Sequence, residues 1–192
     1  ITGSVARLAN NADDYASFYH ETEGGKVSHK EVHNLYGYNM VRAASEYFGK
    51  YDRDKRTLIY SRSSHIGMHR YGGIWTGDNA SRWDHLLLNL KMLPSLNMCG
   101  FLYVGADIGG FGQDTTEDLL LRWTALGAFV PLMRNHCTFG SRRQEYYRFG
   151  NRQAFKNLLD MRYSLVPYLY SEFGKSALRD EHFFAVNDYD HI

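Results

Sequence analysis

Four short apolar runs, each bounded by turn residues, constrain this chain more than any other feature. They are Thr57-Leu58-Ile59-Tyr60, Gly73-Ile74-Trp75-Thr76, Phe101-Leu102-Tyr103-Val104 and Ala128-Phe129-Val130-Pro131-Leu132. Runs this short read as buried strands, although periodicity alone leaves a buried helical segment open. Pro131 weakens the last as a regular strand interior, because it has no N–H to give to a ladder. Helical patterns separate the later runs. A leucine-rich stretch from Asp84 is expected to end at Leu93, before Pro94. A second, Thr115 to Leu126, is expected to start on Asp114 as N-cap, three residues ahead of Glu117. A third runs from about Gln153 to Phe173, bent at Pro167. Strands alternating with helices imply a parallel sheet, hence an α/β fold.

Ahead of the runs, Leu35, Tyr38, Val41, Ala44 and Phe48 recur at helical spacing, and Gly49 is expected to end that helix. Residues 1 to 30 are polar and read as loop with a short helical turn. With 192 residues the chain is long enough for one domain with a core. A formal net charge of +1 with interspersed signs offers no basic stripe for nucleic acid or a membrane surface. No stretch of 18 apolar residues spans a bilayer. Cys99 and Cys137 have no CxxC spacing and read as free thiols. The start carries neither an initiator Met nor a signal-peptide pattern, so Ile1 is expected to be internal to a longer polypeptide.

Each run is followed by a polar side chain: Arg62, Asp78, Asp107 and His136 in turn. In a (β/α)8 barrel the chemistry sits at the carboxyl ends of the strands. Each residue also has a plainer reading. Asp78 lies in Gly77-Asp78-Asn79, an ordinary turn sequence, and Asp107 is placed to cap the next element. Arg62 reads equally as a surface cation, and His136 as a hydrogen-bonded core histidine. The glycines around Asp107 suggest a phosphate loop, but the Lys-Ser/Thr ending and the GxGxxG spacing are missing. His65 and His69 are four apart without a third ligand, so no metal site is expected. Trp75, Trp83, Phe111 and Trp123 supply flat apolar surfaces, which suit sugars as well as a core. Independent turn residues need not follow successive strands, so the four together carry more than any one.

These residues also form motifs. Arg62-Ser63, Gly67, Arg70-Tyr71, Trp75, Gly77-Asp78-Asn79, Ser81 and Trp83 resemble the acid/base segment of glycoside hydrolase family 31. Asp107-Ile108-Gly109-Gly110-Phe111 resembles the family's next strand-end motif, and Pro131, Arg134 and His136 the one after it. Arg162 to Tyr170 is similar to its closing helix. The resemblance runs from about His33 to Phe173, and the preceding stretch resembles an insertion of bacterial α-glucosidases.

The resemblance implies about the second half of a (β/α)8 barrel over residues 33–183, four strands with helices, with 1–32 an insertion segment and 184–192 a tail. It makes Asp78 the general acid/base, shielded against Trp75, and makes Arg62, Trp75, Asp107, Phe111 and His136 the −1 sugar pocket. The family's nucleophile belongs to a Trp-x-Asp-Met-Asn segment that does not occur here; Asp160-Met161-Arg162 lacks the Asn and sits in the closing helix. The implied activity is that of a retaining, exo-acting α-glucosidase. Its partners would be an α-glucoside oligosaccharide and the remainder of a parent glycosidase, without cofactor, nucleic acid or membrane. An α-xylosidase or transglycosylase of the family stands as the alternative, as does a non-catalytic sugar-binding or structural fragment. A nucleotide-binding α/β domain is a remote third. The compartment is not readable, beyond a bacterial-type leaning to the cytoplasm.

Overall fold

A computed structural model describes residues 17–184. The expected segments 1–16 and 185–192 lie outside the described residues. Residues 17–32, expected as loop, instead hold an antiparallel hairpin of β1 (Tyr19–Thr22) and β2 (Gly25–Ser28), then the start of α1 (His29–Tyr51). Ser28 caps α1 by accepting from the Lys30 N–H. Gly49 does not end this helix. The helix continues through it, and the chain turns out only at Asp52, whose N–H bonds to the Phe48 carbonyl.

The centre is a parallel sheet of β3 (Ile74–Trp75), β4 (Val104–Ile108) and β5 (Leu132–Asn135), in that order. α2 (Trp83–Met98) joins β3 to β4, α3 (Glu117–Gly127) joins β4 to β5, and α4 (Arg152–Arg179) follows β5. Four strands were expected. The run at Thr57–Tyr60 contributes only one parallel bridge, Tyr60 to Gly73. β4 and β5 also begin later than their apolar runs. β4 is Val-Gly-Ala-Asp-Ile and buried throughout, so small residues and an aspartate continue the strand where the apolar run stops. Pro131 falls just ahead of β5, outside its ladder. Its carbonyl, with those of Ala128 and Val130, accepts from the Arg162 guanidinium on α4 at 2.9–3.2 Å.

Two further helix ends differ from expectation. Pro94 lies inside α2 rather than beyond it. The carbonyl it leaves unpaired would be that of Leu90, a half-exposed residue with access to water. The N-cap of α3 is Thr116, whose hydroxyl accepts from Leu119 N. Asp114 instead accepts from Arg142 N at 2.5 Å, and Glu117 from Gly150 N and Asn151 N. α4 passes through Pro167 and runs on to Arg179.

Two apolar clusters hold these layers. Val41, Met68, Ile74, Leu93, Phe101, Val104 and Val130 fill the amino-terminal side of the sheet. Ala106, Ile108, Leu119, Leu120, Trp123, Phe149 and Phe155 fill the space between β4, α3 and α4. Each fully buried large side chain contributes about 1.5–3 kcal/mol. The carboxyl ends of the strands are thereby fixed on a packed base, which is where the polar residues gather.

Candidate active site

β3 gives way at Thr76 to the turn Gly77-Asp78-Asn79. The turn is pinned from below: Asn79 Nδ2 donates to Thr76 Oγ1 at 2.8 Å, and Thr76 Oγ1 donates to Asn89 Oδ1 on α2 at 2.7 Å. Asp78 Oδ2 then meets Arg62 Nη1 at 3.1 Å, with the two side chains 53% and 57% exposed. The aspartate side chain is thus half-exposed and paired with a guanidinium. Gly77 adopts φ +84°, and a Cβ there would stand 2.9 Å from Arg62 Cδ. A side chain at 77 would push the arginine off its partner.

The neighbouring pair comes from strand register. Parallel pairing sets Asp107 on β4 beside Arg134 on β5. Arg134 Nη2 donates to Asp107 Oδ1, and Arg134 Nη1 to the Tyr60 hydroxyl at 3.4 Å. The guanidinium also lies 5.3 Å from the Trp75 ring centroid and 5.7 Å from that of Tyr60. Asp107 is 1% exposed, and its Oδ2 has no hydrogen-bond partner among the described residues. Burial pushes the Asp107 carboxyl above its ordinary value, with the Arg134 hydrogen bond and charge pulling against it. The charges of His136 and Asp78 also reach it, with opposite sign.

The loop after β4 ties these two pairs together. Phe111 N and Gly112 N both donate to the Asn79 carbonyl, at 2.6 and 3.0 Å, and Ser81 N donates back to Gly112 O. Gly110, at φ +87°, comes so near the Asp78 turn that a Cβ on it would lie 2.5 Å from Ser81 Cα. No L side chain fits that approach. On the other side Thr138 N donates to Phe111 O at 2.8 Å, and the Phe111 and His136 rings lie 5.3 Å apart, tilted by 36°.

All six residues singled out in the sequence thus stand at one end of the sheet, in three contacting groups: Arg62 with Asp78, Trp75 with Asp107 through Arg134, and Phe111 with His136. Two further residues join them, the Arg134 clamp and Tyr60, which the reading by apolar runs does not give as site residues. Arg134 lies inside a strand, where only the register reveals its partner. His65 and His69 do not converge; His65 Nδ1 is on the Ile66 carbonyl, and His69 packs edge-on against Phe101. Among the described residues no three His, Cys, Asp or Glu side chains are placed to hold a metal. None of the described helices is long and apolar enough to cross a membrane.

Strands and helices alternate, with carboxylates, arginines and aromatic rings at the carboxyl ends of parallel strands, the arrangement of an α/β enzyme domain. A family profile described as "Glycosyl hydrolases family 31 TIM-barrel domain" matches residues 4–172. The chain belongs to glycoside hydrolase family 31. It is 39% identical over 159 residues to "Alpha-glucosidase 2" of Bacillus thermoamyloliquefaciens, covering 82% of this chain and 20% of that protein. It is 45% identical over 156 residues to "Lysosomal alpha-glucosidase" of Rattus norvegicus, covering 80% and 16%. The solved structure of a glucosidase II alpha subunit superposes with a TM-score of 0.73 at 34% identity, over 79% of this chain and 17% of that one. The chain therefore spans a fifth or less of the length of these relatives.

Proposed function

We propose that these residues form about the second half of the (β/α)8 barrel of a retaining, exo-acting α-glucosidase that releases terminal α-linked glucose from oligosaccharides. In this reading residues 33–183 are the barrel portion and 1–32 an insertion. The observation that carries it is the Asp78 carboxyl at the end of β3, on the Arg62 guanidinium, beside the clamped Asp107 at the end of β4. The α-glucosidases among the relatives support the same substrate class.

Asp78 acts as the acid/base. Its proton passes to the glycosidic oxygen as the bond from that oxygen to the anomeric carbon breaks and a second carboxylate bonds to the carbon. The ionised Asp78 then takes a proton from water, which attacks the anomeric carbon and frees the second carboxylate. Retaining enzymes hold the two carboxyl groups about 5–5.5 Å apart. At that separation both cannot ionise freely, which keeps a proton on one of them. The second carboxylate comes from outside these 192 residues. Arg62 exchanges Asp78 for a sugar hydroxyl, His136 holds another, and Asp107, with its buried and unpartnered Oδ2, lies at the base of the pocket. Trp75 and Phe111 offer it apolar walls.

The test is Asp78→Asn in the full-length protein. Hydrolysis of maltose should fall by about 10²–10⁴-fold, the usual contribution of a positioned acid. Aryl α-glucosides, whose leaving group needs no proton, should suffer less. A near-wild-type rate on maltose eliminates the assignment. Running p-nitrophenyl α-glucoside against the α-xyloside separates the α-xylosidase alternative.

A further inference from the structure

One side chain links both strand-end loops and has no part in the chemistry described above. Gln144 lies between β5 and α4 and is buried, 3% exposed. Its Nε2 stands 3.3 Å from Ile108 O, 3.3 Å from Gly110 O, 3.0 Å from His136 O and 3.4 Å from Asn135 Oδ1. Its backbone carbonyl accepts from Asn135 Nδ2 at 2.8 Å. Four oxygens around one atom identify it as the amide nitrogen, since an amide oxygen there would face only acceptors. Oε1 points the other way and has no donor among the described residues. It occupies the space that a Cβ on Gly109 would need.

Two of the four acceptors flank the end of β4, between Asp107 and Phe111, and two belong to the end of β5, at and beside His136. The contact of Gly110 with Ser81 and the bonds to the Asn79 carbonyl carry the same constraint to the Asp78 turn. We infer that Gln144 is a positioning residue: its amide sets the spacing of the loops bearing Phe111 and His136, and through them the placement of Asp78. The inference rests on the glycosidase reading for its consequence in rate, though not for the loop geometry itself.

The full-length protein, wild type and two variants, tests it. Gln144→Met keeps the length of the side chain and removes both donors. Misplacement by about 1 Å costs on the order of 10²-fold in rate, so kcat on an α-glucoside should fall about 10–100-fold while KM changes far less. By mass spectrometry, amide exchange should quicken in residues 108–113 and 136–141, and stay unchanged in α3. Gln144→Glu turns an ionised oxygen toward four acceptors, but regains a donor once protonated. Burial among acceptors raises this carboxyl above its ordinary value of about 4.3, so kcat relative to wild type should rise about tenfold as the pH falls from alkaline values through that raised range. A residue that merely fills space gives a ratio independent of pH. Wild-type kcat or wild-type exchange in Gln144→Met, or a flat ratio in Gln144→Glu, overturns the inference. If the wild-type protein hydrolyses no α-glucoside, the glycosidase reading fails, and the exchange pattern alone decides the role of Gln144.

Discussion

At the scale of single residues, Asp107 and Arg134 make the most exacting demand on the fold. Burial lifts the Asp107 carboxyl above its ordinary value, against the pull of Arg134. A carboxyl raised in this way holds its proton more tightly in the folded chain than in the unfolded one. Stability therefore declines as pH rises from the unfolded value, about 3.9, through the raised one, and the whole cost is present above it. Arg134→Met removes the opposing charge and widens that window upward. Its melting temperature should approach that of wild type below about pH 3, where the Asp107 carboxyl is protonated both folded and unfolded. At neutral pH the gap should widen toward the cost of an uncompensated buried charge, about 3–5 kcal/mol. A gap of equal size at both pH values would falsify the pairing. Arg62, Asp78, Asp107 and His136 were legible in the sequence because each follows an apolar run. Arg134 stands out only as part of a family-like motif, and its partner, like those of Gln144, is fixed by strand register and loop closure, which local spacing does not carry.

Among the elements, the helix ends depart furthest from the local sequence signals, and each departure has a physical cause. Pro94 reads locally as a stop, yet the carbonyl it orphans belongs to the half-exposed Leu90. Asp114 reads locally as a cap, yet its carboxyl is engaged by Arg142 N and the capping falls to Thr116. The order and alternation of the later elements were legible from the apolar runs, although the first run yields a bridge and not a strand. One junction was hidden entirely. Arg162 on α4 donates to the carbonyls of Ala128, Val130 and Pro131, groups that neither the end of α3 nor β5 satisfies. Burial lowers the pKa of this guanidinium from its ordinary value, with Tyr103 opposing the shift, so its charge is held at a cost. Arg162→Met should leave these carbonyls unpaired and destabilise by about 2–4 kcal/mol in sum. At about 2–4 °C per kcal/mol for a domain of this size, the thermal midpoint should drop by about 4–16 °C. Lys156→Met on the same helix breaks an exposed ion pair with Asp160 and should leave the midpoint in place. Equal midpoints for the two variants would show that Arg162 does not lock α4 onto the sheet.

For the molecule as a whole, the described sheet is too short to close on itself. β5 pairs with β4 alone, and on the far side β3 is followed by a single bridge to Tyr60. Large apolar side chains stay exposed along both flanking helices: Tyr36, Met40 and Tyr47 on α1, and Tyr163, Tyr168 and Tyr170 on α4. Unpaired strand edges beside exposed apolar surface invite association, and a closed barrel removes such edges. The proposed parent enzyme would cover these surfaces with the remaining strands and helices, and the same strands would bring the second carboxylate. One experiment on the isolated 192-residue chain probes both consequences. Light scattering should give a mass above the 22.2 kDa of one chain, and p-nitrophenyl α-glucoside should not be turned over. A monodisperse 22.2 kDa monomer with measurable turnover would overturn the half-barrel proposal. In that case both catalytic carboxylates would have to come from these residues, and Asp107, buried beneath Arg134, would be the first to re-examine as the second.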